Sequence, residues 1–447
     1  LIAPDALAPV APAATNYGVM ASPEPSRRFL SRSTLRHETF RAIWIAAIFS
    51  YVGNWLQDIG ESWLMLSLTS HAVLVAMVTT SASVPAFALM LPAGVLSDRF
   101  DRRLILVFSQ GALVVVAAVL ALTTALGVVS PAIILIASAG LGAGSAISTP
   151  AWQTLVPELV PRAEMPEAVT LNSVAFNIAR SIGPALGGII LSAAGPAATF
   201  GLNALSFLGV IYALQVYPDV RRVATRPRSR TASEPFLRAL VGVFAYARRS
   251  RSLRALYLAI ACFAVSAASI PALMPIFAKE TLGTNARGYG LLLGALGAGA
   301  VLAALVLRRV RDVVSARGLV ASSFVLYGCS TLAATFAPSL GVAVALLVPA
   351  GVGWLSSLTT LNALVQLSSP RWIKARAMAL YQLSFLLFWS VGASIGGVVA
   401  MRVGAPFTMR LAALGTIGAG IAVTRLAIPS YTDDADGVPT PAPISAR

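Results

Sequence analysis

Charge is scarce in this chain. Only 11% of its 447 residues are charged and 57% are hydrophobic, where a water-soluble domain carries about a quarter charged residues. Lysine occurs only at Lys279 and Lys374, and neither follows a glycine-rich loop or precedes Ser or Thr. A phosphate-cradling G-x-x-x-x-G-K-[ST] loop is therefore impossible, and an ATP-driven pump would need a separate motor subunit. The two cysteines, Cys262 and Cys329, lie in separate apolar runs, which excludes a disulfide framework and cysteine metal spacing. The histidines, His37 and His71, fall near the ends of apolar runs without ligand partners, so no metal or other cofactor is expected. One string, Gly392-Ala393-Ser394-Ile395-Gly396, has the G-x-S-x-G form. A nucleophile elbow needs a strand-to-helix turn, and this string sits inside an apolar run with no histidine nearby. Small residues for helix packing explain it better, and no enzyme is expected.

Apolar runs, by contrast, are abundant, and mean hydropathy is +0.80. A helix of about 20 apolar residues crosses a ~30 Å hydrocarbon core. Twelve such spans are read, at 41–68, 73–96, 104–127, 131–156, 167–192, 198–217, 253–278, 288–307, 318–337, 340–366, 377–401 and 406–428. The expectation is an all-α polytopic membrane protein of twelve transmembrane helices.

The formal net charge of +16 would suit nucleic acid if it were clustered on one surface. Its distribution instead follows the positive-inside rule. Arg27, Arg28, Arg32, Arg36 and Arg41 precede the first span. Arg99, Arg102, Arg103, Arg162, Arg308, Arg309, Arg311, Arg317, Arg371, Lys374 and Arg376 fill the loops on the same side, and the linker at 218–252 adds more. The opposite side offers Lys279, Arg287, Arg402 and Arg410. Both termini are thus expected in the cytoplasm, the protein in the inner (plasma) membrane, and no nucleic acid as partner.

The chain is expected to divide into a disordered cytoplasmic segment at 1–39, a six-helix bundle at 40–217, a basic cytoplasmic linker at 218–252, a second bundle at 253–428 and a cytoplasmic tail at 429–447. Met20 is a candidate start within the first segment. In the linker, Phe236, Leu237, Leu240, Val241 and Phe244 recur at helical spacing, as an amphipathic helix on the inner face would or as an extension into the seventh span. The bundles repeat each other. At an offset of 209, Pro161-Arg162 matches Pro370-Arg371, Ser181 matches Ser390, Gly183 matches Gly392, and Gly187-Gly188 matches Gly396-Gly397. Equal span numbers with equal orientation make the repeats parallel, an arrangement typical of transporters.

The loop after the second span reads Gly94-Val95-Leu96-Ser97-Asp98-Arg99-Phe100-Asp101-Arg102-Arg103. It resembles the G-x-x-x-D-R-x-G-R-R signature of the major facilitator superfamily, with Asp101 replacing the second glycine. Gly94 is expected to let a helix approach closely. Asp98 is expected to hold the start of the eleventh span near Arg376, latching the halves on the inner side, with Glu158 and Arg162 joining the latch. In the fifth span, Gly183-Pro184-Ala185-Leu186-Gly187-Gly188 resembles the G-P-x-x-G-G core of the superfamily's exporter signature, although its upstream glycines are replaced by Thr170 and Ala179. Proline bends the helix, and the glycines are expected to pack against the other half. Asn54-Trp55-Leu56-Gln57-Asp58 and Gly201-Leu202-Asn203-Ala204 are similar to the transmembrane secretion effector branch, which includes enterobactin-exporter-like proteins. The resemblance covers residues 40–428 and implies efflux by alternating access, as an antiporter.

Ionisable residues at membrane depth are costly and point to function. Asn54, Asp58 and Glu61 share a face of the first span, and Asn177 and Arg180 lie in the fifth. Asp58 is expected either to carry a proton or to pair permanently with Arg180. Glu61, further out, is either part of the pathway or a solvated mouth residue. The second half has no deep acid. It offers Trp354, Tyr381, Gln382, Phe385 and Trp389 instead, a wall suited to an amphipathic organic substrate or an ordinary aromatic core. The reading is proton-coupled export of a small organic molecule, siderophore-like or a drug, by a monomer in the lipid bilayer. An importer or passive facilitator of the same fold, and a non-transporting membrane scaffold or sensor, are the alternatives.

Overall fold

The structure, a computed structural model, describes residues 34–224, 244, 246–370 and 373–430, with the side chains of Leu91, Asp98, Asn177, Ser181 and Ala375 outside that description. The N-terminal segment to residue 33, the amphipathic helix expected around residue 240 (Phe244 excepted) and the tail from residue 431 also lie outside it. The described elements are helical: α1 Glu38–Leu68, α2 Ala72–Arg99, α3 Arg102–Ala125, α4 Pro131–Leu155, α5 Met165–Val216, α6 Pro218–Ala224, α7 Arg251–Ile276, α8 Ala286–Val313, α9 Ala316–Ala334, α10 Leu340–Leu367, α11 Lys374–Val403 and α12 Ala405–Val423. Among the described residues, nine stretches are long and apolar enough to cross a membrane, which makes this a multi-pass membrane protein. α1 is not one of the nine, because Asn54, Gln57, Asp58 and Glu61 dilute its apolar run.

The fifth and sixth expected spans run into each other as α5. They are divided only by Gly195, whose φ of 77° and ψ of 175° belong to a region open essentially to glycine. Pro196 then sits at the first position of the following segment, where its missing N–H costs nothing. Gly404, 209 positions later, divides α11 from α12 in the same way, at φ 82° and ψ 157°. Short polar side chains begin several of the other helices. Ser130, Ser250, Asn285, Ser315 and Ser339 each accept a hydrogen bond from a backbone N–H of the first turn, which satisfies a donor the helix leaves free.

Two groups of helices result. In the first, α1 packs on α5, α2 on α4, and α3 on both α4 and α5; in the second, α7 packs on α11 and α12, α9 on α10 and α12, and α8 on α10. Two principal seams join the groups, α5 with α8 and α2 with α11. Backbone closeness sets both. A Cβ on Gly188 would lie 2.8 Å from the Gly290 Cα and 2.9 Å from the Ala286 carbonyl oxygen, and one on Gly397 would lie 2.8 Å from the Ala76 Cβ and 3.1 Å from the Val73 Cα. Gly188 thus makes the cross-group packing expected of it. Gly183 and Gly187 do not: they pack on Trp55, Leu56 and Ile59 of α1, within their own group, as Gly392 and Gly396 pack on Val265 and Ser269 of α7. Positions 209 apart make corresponding contacts. Both glycine seams lie at the end of the molecule away from the arginine-rich loops.

At the arginine-rich end the first group is fastened by its own core, in which Phe40, Ile43, Leu106, Leu155 and Leu214 enclose Val220 and Val223 of α6. Polar ties surround that core. His37 Nε2 lies 3.1 Å from Glu164 Oε2, and the Thr39 hydroxyl donates to Asp219 at 3.1 Å.

Candidate functional site

A cavity of about 120 Å³ lies between the two groups, lined by Trp55 and Arg180 from the first and by Tyr327, Trp354 and Trp389 from the second. Trp354 is the hub of its aromatic wall. Its ring centroid is 5.1 Å from that of Trp389, 5.5 Å from Phe263 and 5.8 Å from Tyr327. The Arg180 guanidinium lies over the same ring, 5.4 Å from its centroid, within the range of cation–π attraction. The buried Trp354 Nε1–H has no hydrogen-bond partner among the described residues.

Of the two readings of Asp58, the permanent pair with Arg180 is not formed. Ion pairs form instead at His37–Glu164, Arg102–Glu158 and Arg222–Asp219. Arg180 projects from α5 toward the aromatic wall of the second group, while Asp58 is exposed and acts electrostatically on Glu61 and on Tyr289 of α8. Tyr289 in turn stacks on Trp63, with centroids 6.0 Å apart.

Glu61 is not a solvated mouth residue. It is 3% exposed and held inside the first group, where Gln57 Nε2 donates to Oε1 at 2.8 Å and the Ser138 hydroxyl lies 2.5 Å from Oε2. Asn203 Nδ2 donates to Gln57 Oε1 at 3.3 Å and extends the network to the second segment of α5. Ser138 Oγ is also 2.9 Å from the Ile134 carbonyl. A hydroxyl has one proton, so the arrangement has two satisfied forms. With Glu61 ionised, Ser138 donates to the carboxylate. With Glu61 protonated, the acid donates to Ser138, and Ser138 donates to Ile134. The row Asn54, Asp58, Glu61 read as one face therefore divides: Glu61 turns to α4, Asp58 to the seam, and Asn54 to a second cavity.

That second cavity, of about 400 Å³, lies within the first group, with Tyr51, Asn54, Gln110, Trp152, Asn172 and Phe176 among the residues lining it. The sequence reading named only Asn54 of these. Gln110 and Asn172 carry a usable signal, since amides inside apolar runs must find partners, as Gln57, Ser138 and Asn203 also do. The aromatic members Tyr327 and Phe263 carry none, because core aromatics are ordinary.

The expected second-half wall is only partly assembled. Trp354 and Trp389 line the central cavity, but Tyr381 is buried with its hydroxyl donating to the Leu358 carbonyl at 3.2 Å, a tie between α10 and α11. Gln382 is exposed and outside the residues lining this cavity. In the loop signature, Arg102 is 4% exposed and donates to Glu158 at 2.8 Å, and Arg103 Nε donates to the Leu214 carbonyl at 2.9 Å. These contacts stay within the first group rather than bridging to the second. Arg99 and Arg162 are exposed and Arg376 is half-buried; the Asp98 and Asn177 side chains lie outside the description. Gly94 makes no close approach, since a Cβ there would meet nothing within 4 Å; the glycine seams hold the groups together at the other end. Asp101, where the signature has glycine, caps α3 by accepting from the Arg103 N–H at 2.8 Å and the Leu104 N–H at 3.3 Å.

Residues 31–444 match the family described as Transmembrane secretion effector. The staphyloferrin A transporter of Staphylococcus aureus is 26% identical over 288 residues, covering 64% of this chain and 71% of that protein. Enterobactin exporter EntS of Salmonella typhimurium is 26% identical over 379 residues, covering 82% and 86%. Among solved structures, the D-xylose-proton symporter superposes with a TM-score of 0.67 at 15% identity, covering 90% of this chain and 99% of that one. A bacterial homolog of the human lysosomal transporter Spinster, inward-facing and unoccupied, gives 0.64 at 14%, covering 88% and 96%.

Proposed function

The chain belongs to the transmembrane secretion effector family, secondary transporters of the efflux branch of the major facilitator superfamily, and on that premise we propose that it exports an anionic, ring-bearing organic molecule in exchange for protons. Twelve spans in two parallel six-helix repeats, with both termini and the 218–252 linker in the cytoplasm, form the frame of this reading; α5 supplies the fifth and sixth spans. With the arginine-rich loops inside, the glycine seams close the outer side and the cavities face the cytoplasm.

The observation that carries the reading is Arg180, a cation at membrane depth set on an aromatic wall with no carboxylate within 4 Å among the described residues. A charge in that position is expensive, and an anionic cargo carrying a flat ring would both neutralise it and stack on Trp354 or Trp389. The names of the two relatives make siderophores the first cargo class to test. Glu61 holds the proton: its network with Ser138 is satisfied in either protonation state, and Asp58, one turn earlier, passes protons between Glu61 and the seam.

Vesicles containing the purified protein and a pH-sensitive dye test the coupling. Glu61→Gln keeps the hydrogen bonds to Gln57 and Ser138 but cannot ionise. Uphill transport driven by a pH gradient should fall at least tenfold while downhill exchange of cargo survives. Uphill transport at the wild-type rate in Glu61→Gln would remove proton carriage at this residue from the mechanism.

A further inference from the structure

The cavity inside the first group is not needed to hold the helices together. It is large, about 400 Å³, within the range of small-molecule sites, and it lies at a depth where the surroundings are hydrocarbon. Among the described residues its lining has no charged side chain. It is nonetheless rich in hydrogen-bonding groups. Asn172 Oδ1 accepts from both the Tyr51 hydroxyl and Trp152 Nε1, each at 3.3 Å, which fixes the amide and leaves its two N–H donors without a recorded partner. Gln110 is 7% exposed and its Oε1 has no partner among the described residues. A buried amide oxygen in the state of Gln110 is uncommon, and an occupant with matching groups would satisfy it together with the half-buried Asn172 amide.

Position gives the cavity a role. Tyr51 and Phe176, whose rings meet edge to face at 5.5 Å, stand one helical turn from Trp55 and Arg180 of the central cavity, about 6 Å away at the α-helical rise. The cavity lies on the arginine-rich side of Arg180, so cargo moving outward meets it first. Building on the proposed export of an anionic ring-bearing cargo, we propose that this cavity is a second subsite, which takes an uncharged part of the cargo bearing hydroxyl and amide groups. The two cavities would then divide one bent molecule between them. The ring and its negative charge go to Arg180 and Trp354, and the neutral, hydrogen-bonding remainder goes to Asn172, Gln110 and Asn54. Selection at this second subsite rests on hydrogen bonds. That discriminates strongly, because an analogue without those groups leaves buried amides unpaired.

The test uses two probes on the full-length protein in detergent: benzoate, which has only the charged ring, and 4-carboxybenzoyl-serinamide, which adds an amide- and hydroxyl-bearing tail. Thr149, another lining residue, is replaced by Cys in a background with Cys262 and Cys329 changed to Ser, and its rate of maleimide labelling is followed. The tailed probe should slow labelling at least fivefold and benzoate should not. By calorimetry the tailed probe should bind at least tenfold tighter than benzoate. Gln110→Leu, which removes the amide and makes no polar demands on the fold, should reduce that ratio severalfold with benzoate affinity unchanged. Arg180→Gln should weaken both probes together. An unprotected Thr149→Cys, or an affinity ratio untouched by Gln110→Leu, overturns the second subsite while leaving the central site standing. Benzoate binding indifferent to Arg180→Gln, or no binding of either probe to the wild type, overturns the anion reading and the subsite resting on it.

Discussion

α1 and α7 occupy corresponding places in the two halves and carry opposite chemistry. α1 packs beneath Gly183 and Gly187 through Trp55 and Ile59, and α7 beneath Gly392 and Gly396 through Val265 and Ser269. In the same register, where α1 has Asn54, Gln57, Asp58 and Glu61, α7 has Ala264, Ala267, Ala268 and Pro271, and its three alanines are fully buried. The fold therefore makes this helix position well from small apolar residues. The polar row on α1 is not required by the packing geometry, and it is costly at membrane depth. On the function proposed above, the row serves to hold a charge or a proton. The second half contributes the complement, an aromatic wall at the position of Trp389, which matches Arg180 at the 209 offset.

The seams offer the strongest way to break this comparison, since the halves share backbone design there but not neighbours. Gly188 faces backbone atoms of Gly290 and Ala286, which cannot turn aside, whereas the nearest atom to Gly397 is the Ala76 methyl. Gly188→Leu should abolish transport and open the outer side to impermeant thiol reagents at a cysteine replacing Ala286, which is buried at the closed seam. Overpacking of this kind costs about 1–3 kcal/mol even where neighbours relax. Gly397→Ala should be milder than Gly188→Ala. Equal losses in the two alanine variants would mean that the seams are energetically alike despite their neighbours.

The division into a charged half and an aromatic half is sharpened by Trp354→Ala. It removes the surface under Arg180, and a desolvated cation–π contact is worth about 2 kcal/mol. Cargo affinity should fall by at least tenfold, with Trp354→Phe recovering part of it, while the pH dependence set in the first half stays the same. A Trp354→Ala protein with unchanged affinity and a shifted pH profile would assign the aromatic wall to coupling instead.

The smallest effect concerns corresponding loops. Asp101 caps α3 and Ser315 caps α9, and loss of such a cap costs about 1 kcal/mol. Asp101→Ala and Ser315→Ala should each lower the unfolding temperature in detergent by a few degrees. If Asp101→Ala instead impairs transport at unchanged stability, the residue has a gating part that Ser315 lacks.

Much of the architecture was legible in the chain because hydrocarbon imposes it. A run near 20 apolar residues has to span, arginines resist translocation, and glycines 209 apart mark equal packing whatever their partners. The site was legible only in part. Arg180, Trp354, Trp389, Asn54, Asp58 and Glu61 stood out as residues in costly or informative places, and the structure sets Arg180, Trp354 and Trp389 at the central cavity. Their pairing was not legible. Opposite charges suggested Asp58 with Arg180, but a partner depends on the angle at which each side chain leaves its helix and on which helix adjoins there.

The sequence by itself determined that this is a multi-pass membrane protein, which loops share the arginine-rich side, and where its halves repeat, since these follow from composition and spacing along one dimension. Only the tertiary structure decided that Arg180 lies on Trp354, that Glu61 turns inward to Ser138, and that Gly188 rather than Gly183 or Gly187 meets the other half. Those contacts join residues far apart in the chain, and their geometry is fixed by helix crossing and rotation, which no local pattern records.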